Sequence, residues 1–235
     1  MKKSIGVIDS GMGAMLTMDV IKSVLPNEDY IIYMDYKNNP YGEKSVEELF
    51  RISCEIVDYL YDLGCSVIVI VCNTLTCNCM NRMKEKYKDI VFIGTVPAIK
   101  VAYDHNKLNT LVMATKGTVF SYRLGELNKS FKRDNQIINY VPCIKLVSAI
   151  ESMDESLIRS VLNDELAKFV NTGIDSIVLG CTHYPYVKKY LLEMFGDVEI
   201  YDSSMGVALE LKRQLILLGH NLEEDKLGTT TIIRS

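Results

Sequence analysis

Short runs of apolar, mostly β-branched residues recur along this chain, separated by segments of helical period, and that pattern constrains the fold most tightly. The runs fall at residues 4–8, 30–34, 67–71, 91–93, 111–113 and 177–179. Most are apolar throughout rather than alternating, as a parallel strand covered on both faces requires. Between them the clearest helix is predicted over 46–63, where Leu49, Ile52, Ile56, Leu60 and Leu63 form one stripe. Ser45 and Glu48 have capping-box spacing at its start, and Gly64 ends it. A second helix is predicted over 154–171, with Leu157, Ile158, Val161, Leu162, Leu166, Phe169 and Val170 inward and Gly173 as terminator. Strands alternating with helices of these lengths imply βαβ units and parallel sheet, an α/β fold.

One frame occurs twice. Gly64-Cys65-Ser66-Val67-Ile68-Val69-Ile70-Val71-Cys72 and Gly173-Ile174-Asp175-Ser176-Ile177-Val178-Leu179-Gly180-Cys181 each pair a helix-ending glycine and a strand with a terminal cysteine. A weaker echo sets Asp9-Ser10-Gly11-Met12-Gly13 beside Asp202-Ser203-Ser204-Met205-Gly206. Repetition at so long a period predicts two related α/β halves facing each other rather than a solenoid. No low-complexity linker separates them, so the boundary is tight and allows the chain to cross it twice. Residues 229–232 suit a late edge strand.

The net charge of −4 and the absence of a Lys/Arg stripe argue against nucleic acid. The apolar run 67–72 is far short of the ~20 residues that span a bilayer, and Asp9 interrupts any signal-peptide core behind Lys2 and Lys3. Seven cysteines without framework spacing suit a reducing cytoplasm.

In open α/β sheets ligands sit beyond the carboxyl ends of the strands, where Asp9, Cys72 and Cys181 all fall. Asp9-Ser10-Gly11 taken alone is equally a helix cap or a site. It is not a dinucleotide fingerprint, because the glycine frame fails at Leu16. Cys72 stands at a polar helix start, where unpaired N–H groups are expected to lower its pKa from about 8.5. Cys77 and Cys79 do not complete a zinc spacing, so no metal is expected. His183 lies two residues after Cys181, on the same side if that segment is extended. The Asn39-Pro40-Tyr41-Gly42 turn emerges at the same sheet edge and is placed to close over a ligand. None of these segments carries Arg or Lys, so an anionic ligand would rest on backbone N–H groups and on Ser10, Asn73, Thr74 and Thr182. Two like thiols across one crevice suit inversion of a carbon acid, which needs a base on one face and an acid on the other.

Six segments in order carry a resemblance: Gly6-Val7-Ile8-Asp9-Ser10-Gly11; Asp35 followed by Pro40-Tyr41-Gly42; Cys72-Asn73-Thr74; Val96-Pro97-Ala98; Ala114-Thr115-Lys116-Gly117-Thr118; and Gly180-Cys181-Thr182-His183-Tyr184-Pro185. On these the chain resembles the glutamate racemases of the cofactor-independent aspartate/glutamate racemase superfamily, over nearly its whole length. The resemblance implies two Rossmann-like parallel-sheet domains related by pseudo-twofold symmetry, with the active site in the cleft between them. The first would comprise residues 1–96 plus 207–235 and the second residues 97–206. The implied reaction interconverts L- and D-glutamate without a cofactor, the D form feeding peptidoglycan synthesis. By position Cys72 matches the thiol acting on the D enantiomer, assisted by Asp9. Cys181 matches the thiol acting on the L enantiomer, assisted by His183, and Glu151 matches a further acidic residue near it. Ser10, Pro40, Tyr41, Gly42, Asn73, Thr74, Thr118 and Thr182 match substrate-binding positions. Two departures stand out: Gly13-Ala14 replaces Gly-Gly, and Leu75-Thr76-Cys77 replaces small residues after the first thiol.

No lysine stands at a strand end to form a Schiff base, and the only expected partner besides a small amino acid is a second copy in a homodimer. Racemization of aspartate, a hydrolase with Cys181 as nucleophile and His183 as base, and an amino-acid sensor without turnover are the competing readings.

Overall fold

The computed structural model describes residues 4–220, 222 and 226–235; Lys2 and Lys3 lie outside them. The chain runs β1 (Ile5–Asp9), α1 (Ala14–Val24), β2 (Tyr30–Met34), α2 (Val46–Asp62), β3 (Val67–Ile70), α3 (Asn73–Lys86), β4 (Val91–Gly94) and α4 (Ile99–Asp104). It continues through β5 (Asn109–Ala114), α5 (Lys116–Val119), α6 (Tyr122–Phe131), β6 (Ile137–Pro142), α7 (Leu146–Glu151), α8 (Glu155–Leu166), β7 (Ser176–Gly180), α9 (Lys188–Phe195), β8 (Glu199–Tyr201), α10 (Ser204–Leu217) and β9 (Thr230–Arg234).

Two all-parallel sheets result, ordered β4-β3-β1-β2-β9 and β6-β5-β7-β8. Reversed, the second reads β8-β7-β5-β6, which matches the first strand for strand until β9 is added at its edge. The strands ending before Cys72 and before Cys181 therefore occupy the same place in each sheet, and the stronger echo is a structural repeat. The weaker echo is not. Asp202 follows β8, which takes the place of β4, whereas Asp9 follows β1. Asp202 instead accepts from Lys188 Nζ at 2.7 Å and from the Ser204 N–H at 3.0 Å.

The central strands are apolar because helices cover both faces. β1, β3 and β7 are buried at every residue. On one side of the first sheet, α1 and α10 pack Met18, Ile21, Leu211 and Leu215 against Val7 and Val69. On the other, α2 and α3 pack Leu49, Ile52, Leu60 and Leu75 against Ile8 and Ile68. α2 begins as its cap spacing requires, with Ser45 Oγ accepting from the Glu48 N–H at 3.2 Å. It ends in a Schellman turn: Gly64 has φ +89°, its N–H reaches Tyr61 O at 2.8 Å, and the Cys65 N–H reaches Leu60 O at 3.0 Å. Leu63, expected in the buried stripe, is 46% exposed because the helix has already turned out at its cap. Leu157, also expected inward, is 44% exposed on the first turn of α8. That helix stops at Leu166, and a 3-10 turn at Ala167–Phe169 leaves Phe169 and Val170 only half-buried.

β6 and β8 carry no strong sequence signal, since each is an edge strand with a partly exposed face. The late strand is β9, parallel to β2 through Tyr30↔Thr230 to Met34↔Arg234. Between β4 and α4, and again between β8 and α10, the chain passes from one sheet to the other; Thr95 Oγ1 and Ser203 Oγ hydrogen-bond at 2.6 Å across the two crossings.

Candidate active site

Repetition of one strand order brings like ends of the two sheets together. Cys72 follows β3 as the N-cap of α3, and Cys181 follows β7. Both thiols line one cavity, of about 10 Å³, room for roughly one water. Cys72 is 6% exposed and Cys181 9%; each packs on its sheet's apolar core and meets the cavity on its other side. Ser10, Pro40, Tyr41, Gly42, Asn73, Thr74, Thr182 and His183 line the same cavity, and among the described residues no lysine or arginine does.

Three expected residues stand one layer behind. Asp9 is fully buried and accepts from Thr182 Oγ1 at 3.1 Å, while its Oδ1 has no hydrogen-bond partner. Burial pushes its carboxyl from 3.8 up to about 6, against the pull of His183 and of hydrogen bonds from Ser10 and Thr182. Thr118 lies in a buried threonine cluster that joins the two sides of the cleft. Thr74 Oγ1 is 2.7 Å from Thr115 Oγ1 and 3.3 Å from Thr118 Oγ1, and Thr115 donates to Thr118 at 3.1 Å. Glu151 ends α7, whose Leu146, Val147, Ala149 and Ile150 are locked into the second sheet's core. Its Oε1 meets His183 Nε2 at 2.9 Å.

The two thiols have different surroundings. His183 Nδ1 is 3.8 Å from Cys181 Sγ. A turn creates this approach rather than the extended segment expected, for the Tyr184 N–H returns to Cys181 O at 3.2 Å. Tyr184 pins the turn from below, donating its hydroxyl to Cys143 O at 3.2 Å. Burial disfavours the His183 cation, but the hydrogen bonds to Cys181 and Glu151 and the charges of Cys181 and Asp9 outweigh it. The imidazole rises from 6.5 to about 10. Among the described residues no cation acts on Cys72. Its position at a helix start predicts a thiol below its ordinary value, yet burial and the Asp9 charge raise it well above. The N–H groups of Thr74 and Leu75 at the start of α3 do favour the thiolate, but the loss of hydration outweighs them.

The glycines here are spacers between the two sides. A Cβ on Gly13 would lie 2.4 Å from Thr182 Oγ1, and one on Gly42 2.7 Å from Thr115 Cβ. Neither departure from the expected motifs enters the cavity. Ala14 opens α1 with its methyl in the core of the first sheet. Leu75 is buried against α2, and Thr76 Oγ1 bonds Ile70 O at 3.2 Å. Cys77 faces Ser121 and Arg123, and burial raises its thiol to about 12.

Asn39, named in the sequence only as part of its turn, also lines the cavity, as do Thr115 and Val147, which the sequence alone does not assign to the site. Asn39 and Thr115 sit inside or beside motifs that carry the resemblance, and that adjacency is the available signal. Val147 has none, because only the packing of α7 turns it toward the cleft. Asp35, also in one of those motifs, accepts from the Tyr41 hydroxyl at 2.6 Å and from Ser235 Oγ at 2.8 Å, fixing the turn after β2.

A profile of the Asp/Glu/Hydantoin racemase family matches residues 5–209. The chain is 37% identical to the glutamate racemase of Clostridium perfringens (strain 13 / Type A), covering 98% of this chain and 90% of the relative. It is similar to the crystal structure of Escherichia coli glutamate racemase in complex with L-glutamate and the activator UDP-MurNAc-Ala (TM-score 0.84, 27% identity, 99% of this chain and 89% of that one). It is also similar to the Francisella tularensis enzyme in complex with D-glutamate (TM-score 0.83, 28% identity, 98% and 88%).

Proposed function

The chain belongs to the Asp/Glu/Hydantoin racemase family and is an amino-acid racemase, an isomerase; from that membership we propose that it interconverts L- and D-glutamate through Cys72 and Cys181. The observation that carries this reading is that both thiols line one small cavity, each with its own ionisable helper. In the direction from L to D, the thiolate of Cys181 takes the α-proton from one face and the Cys72 thiol delivers its proton to the other. The products are the D enantiomer, a Cys181 thiol and a Cys72 thiolate. The reverse reaction exchanges the roles.

The two thiols have helpers of opposite kind. An imidazole raised to about 10 lies 3.8 Å from Cys181, whereas burial and the Asp9 charge keep Cys72 protonated. Asp9, at about 6, is matched to moving protons for Cys72 near neutral pH. Ser10, Pro40, Tyr41, Gly42, Asn73, Thr74 and Thr182 are assigned to substrate, with the unpartnered Asn73 Oδ1 as an acceptor for its ammonium, and Thr118 supports Thr74 from behind. The cavity is smaller than glutamate, so the two sides part for entry; we take them as domains 1–96 plus 207–235 and 97–206. A hydrolase would use Cys181 and His183 and leave Cys72 without purpose.

D-Glutamate for peptidoglycan and a homodimer belong to the proposal by analogy with the family. Among the described residues all seven cysteines are free, which supports a cytoplasmic assignment, and no helix is long and apolar enough to cross a membrane. Circular dichroism with L- and D-glutamate, beside both aspartate enantiomers, tests the reaction. Loss of optical activity with glutamate, and solvent deuterium at Cα in D₂O, are expected. A purified, folded enzyme that exchanges neither amino acid would reject the two-thiol chemistry, and turnover of aspartate alone would reject the substrate.

A further inference from the structure

We propose, resting on that reading of the site, that Asn39 is a positioning residue: its hydrogen bond to Glu151 latches the two sides of the cleft and sets His183 against Cys181. Asn39 lies in the turn after β2, on the side of the first sheet, and Glu151 ends α7, on the side of the second. Asn39 Nδ2 donates to Glu151 Oε2 at 2.6 Å, and the other carboxylate oxygen meets His183 Nε2 at 2.9 Å. Both oxygens of Glu151 are thus engaged, and the chain of side chains ends at the Cys181 sulfur, 3.8 Å from His183 Nδ1.

Few other contacts restrain that carboxylate. Glu151 is 24% exposed, and among the described residues no lysine or arginine pairs with it. Without the amide it is free to turn toward water and release the imidazole. The backbone leaves room for the contact at Gly11, where a Cβ would stand 2.4 Å from Glu151 Oε1 and 3.1 Å from Asn39 Nδ2. The ionisable groups facing the cluster are His183 and Cys181 from the second side and Asp9 from β1. Asp35, in the same turn as Asn39, is taken up by Asn38, Tyr41 and Ser235.

The test compares Asn39→Asp and Asn39→Leu with the wild-type chain. Glutamate kcat and KM are measured against pH, and the His183 imidazole is titrated by NMR without substrate. If Asn39 merely fills space, aspartate, of nearly equal size and shape, is the milder change. If it is the latch, Asn39→Asp sets two carboxylates within hydrogen-bonding distance and is the more damaging near neutral pH. Its kcat then recovers in acid as the pair shares a proton, moving the optimum down by about one pH unit or more. For Asn39→Leu, a lost charge-assisted bond converts to a fall in kcat of roughly ten- to a hundredfold, with His183 titrating at lower pH. Wild-type kcat and pH optimum in Asn39→Asp, or an unmoved His183 titration in both variants, would overturn the latch. If wild-type protein does not racemize glutamate the functional reading fails, and the histidine titration alone then decides the latch. Should Asn39→Leu not fold, Asn39→Asp measured beside the wild type still decides it.

Discussion

Asp9 offers a way to separate the cost of the site from its chemistry, through Asp9→Asn. The carboxyl is fully buried and stands at about 6 against an ordinary 3.8. The folded chain therefore holds this proton more tightly than the unfolded chain does. For a carboxyl raised in this way, stability is greatest below the unfolded pKa and is lost as pH rises through the folded one. At about 1.4 kcal/mol per pKa unit, ionised Asp9 costs the fold roughly 3 kcal/mol above pH 7 and about 1 kcal/mol near pH 4.5. Asparagine cannot ionise. It keeps a carbonyl for Thr182 and places an amide nitrogen where Oδ1 had no partner. Whatever that exchange costs is the same at both pH values. His183, at about 10, stays protonated at both, and its pull on ionised Asp9 is already contained in the value of about 6. Urea unfolding at about pH 4.5 and 8 should then show the variant gaining about 2 kcal/mol on the wild-type chain at the higher pH, or roughly 4–8 °C in Tm. Racemization should fall by roughly 10²–10⁴ at the same time. A stability gap that is equal at the two pH values within about 0.5 kcal/mol, or that moves the other way, would refute the burial argument.

The rate of the wild-type chain should be bell-shaped in pH, rising through about 6 as Asp9 ionises and falling toward about 10 as His183 loses its proton. His183→Gln should remove the alkaline limb, and its persistence would exclude His183 as its source. Gly13→Ala puts a methyl 2.4 Å from Thr182 Oγ1 and 2.8 Å from the Thr182 backbone carbon. It should cost about 1–3 kcal/mol by urea titration and lower kcat, since the displaced hydroxyl is the one holding Asp9. Thr74→Val removes the 2.7 and 3.3 Å contacts of the threonine cluster while Thr115 and Thr118 keep each other. The loss should sit near the low end, about 1 kcal/mol, with a raised KM for glutamate; an unchanged KM would remove Thr74 from the substrate site.

Much of this molecule can be read from residue order because its decisive contacts are local or repeated. Four of the strands inside the sheets are mostly apolar, so β1, β2, β3 and β7 are legible within a residue or so. The caps of α2 depend on Ser45, Glu48 and Gly64, all within a few residues of the ends they satisfy. Edge strands such as β6 and β8 have no such signature, because partial exposure relaxes the demand for apolar side chains. The second echo misleads for a related reason. Asp202 is taken up by Lys188 and the Ser204 N–H at the start of α10, whereas Asp9 accepts from Thr182, so like residues serve unlike contacts.

Residue types and spacing, then, determine that this chain has two thiols at matching strand ends, each followed by polar residues. They do not determine the protonation of those thiols. The start of α3 alone would favour a Cys72 thiolate; burial in the packed fold and the Asp9 charge reverse that, and only a three-dimensional arrangement sets how much water a sulfur loses. Likewise the contacts that join the halves, Asp9 to Thr182, Thr74 to Thr115 and Asn39 to Glu151, link positions far apart in the chain, and no local preference encodes them.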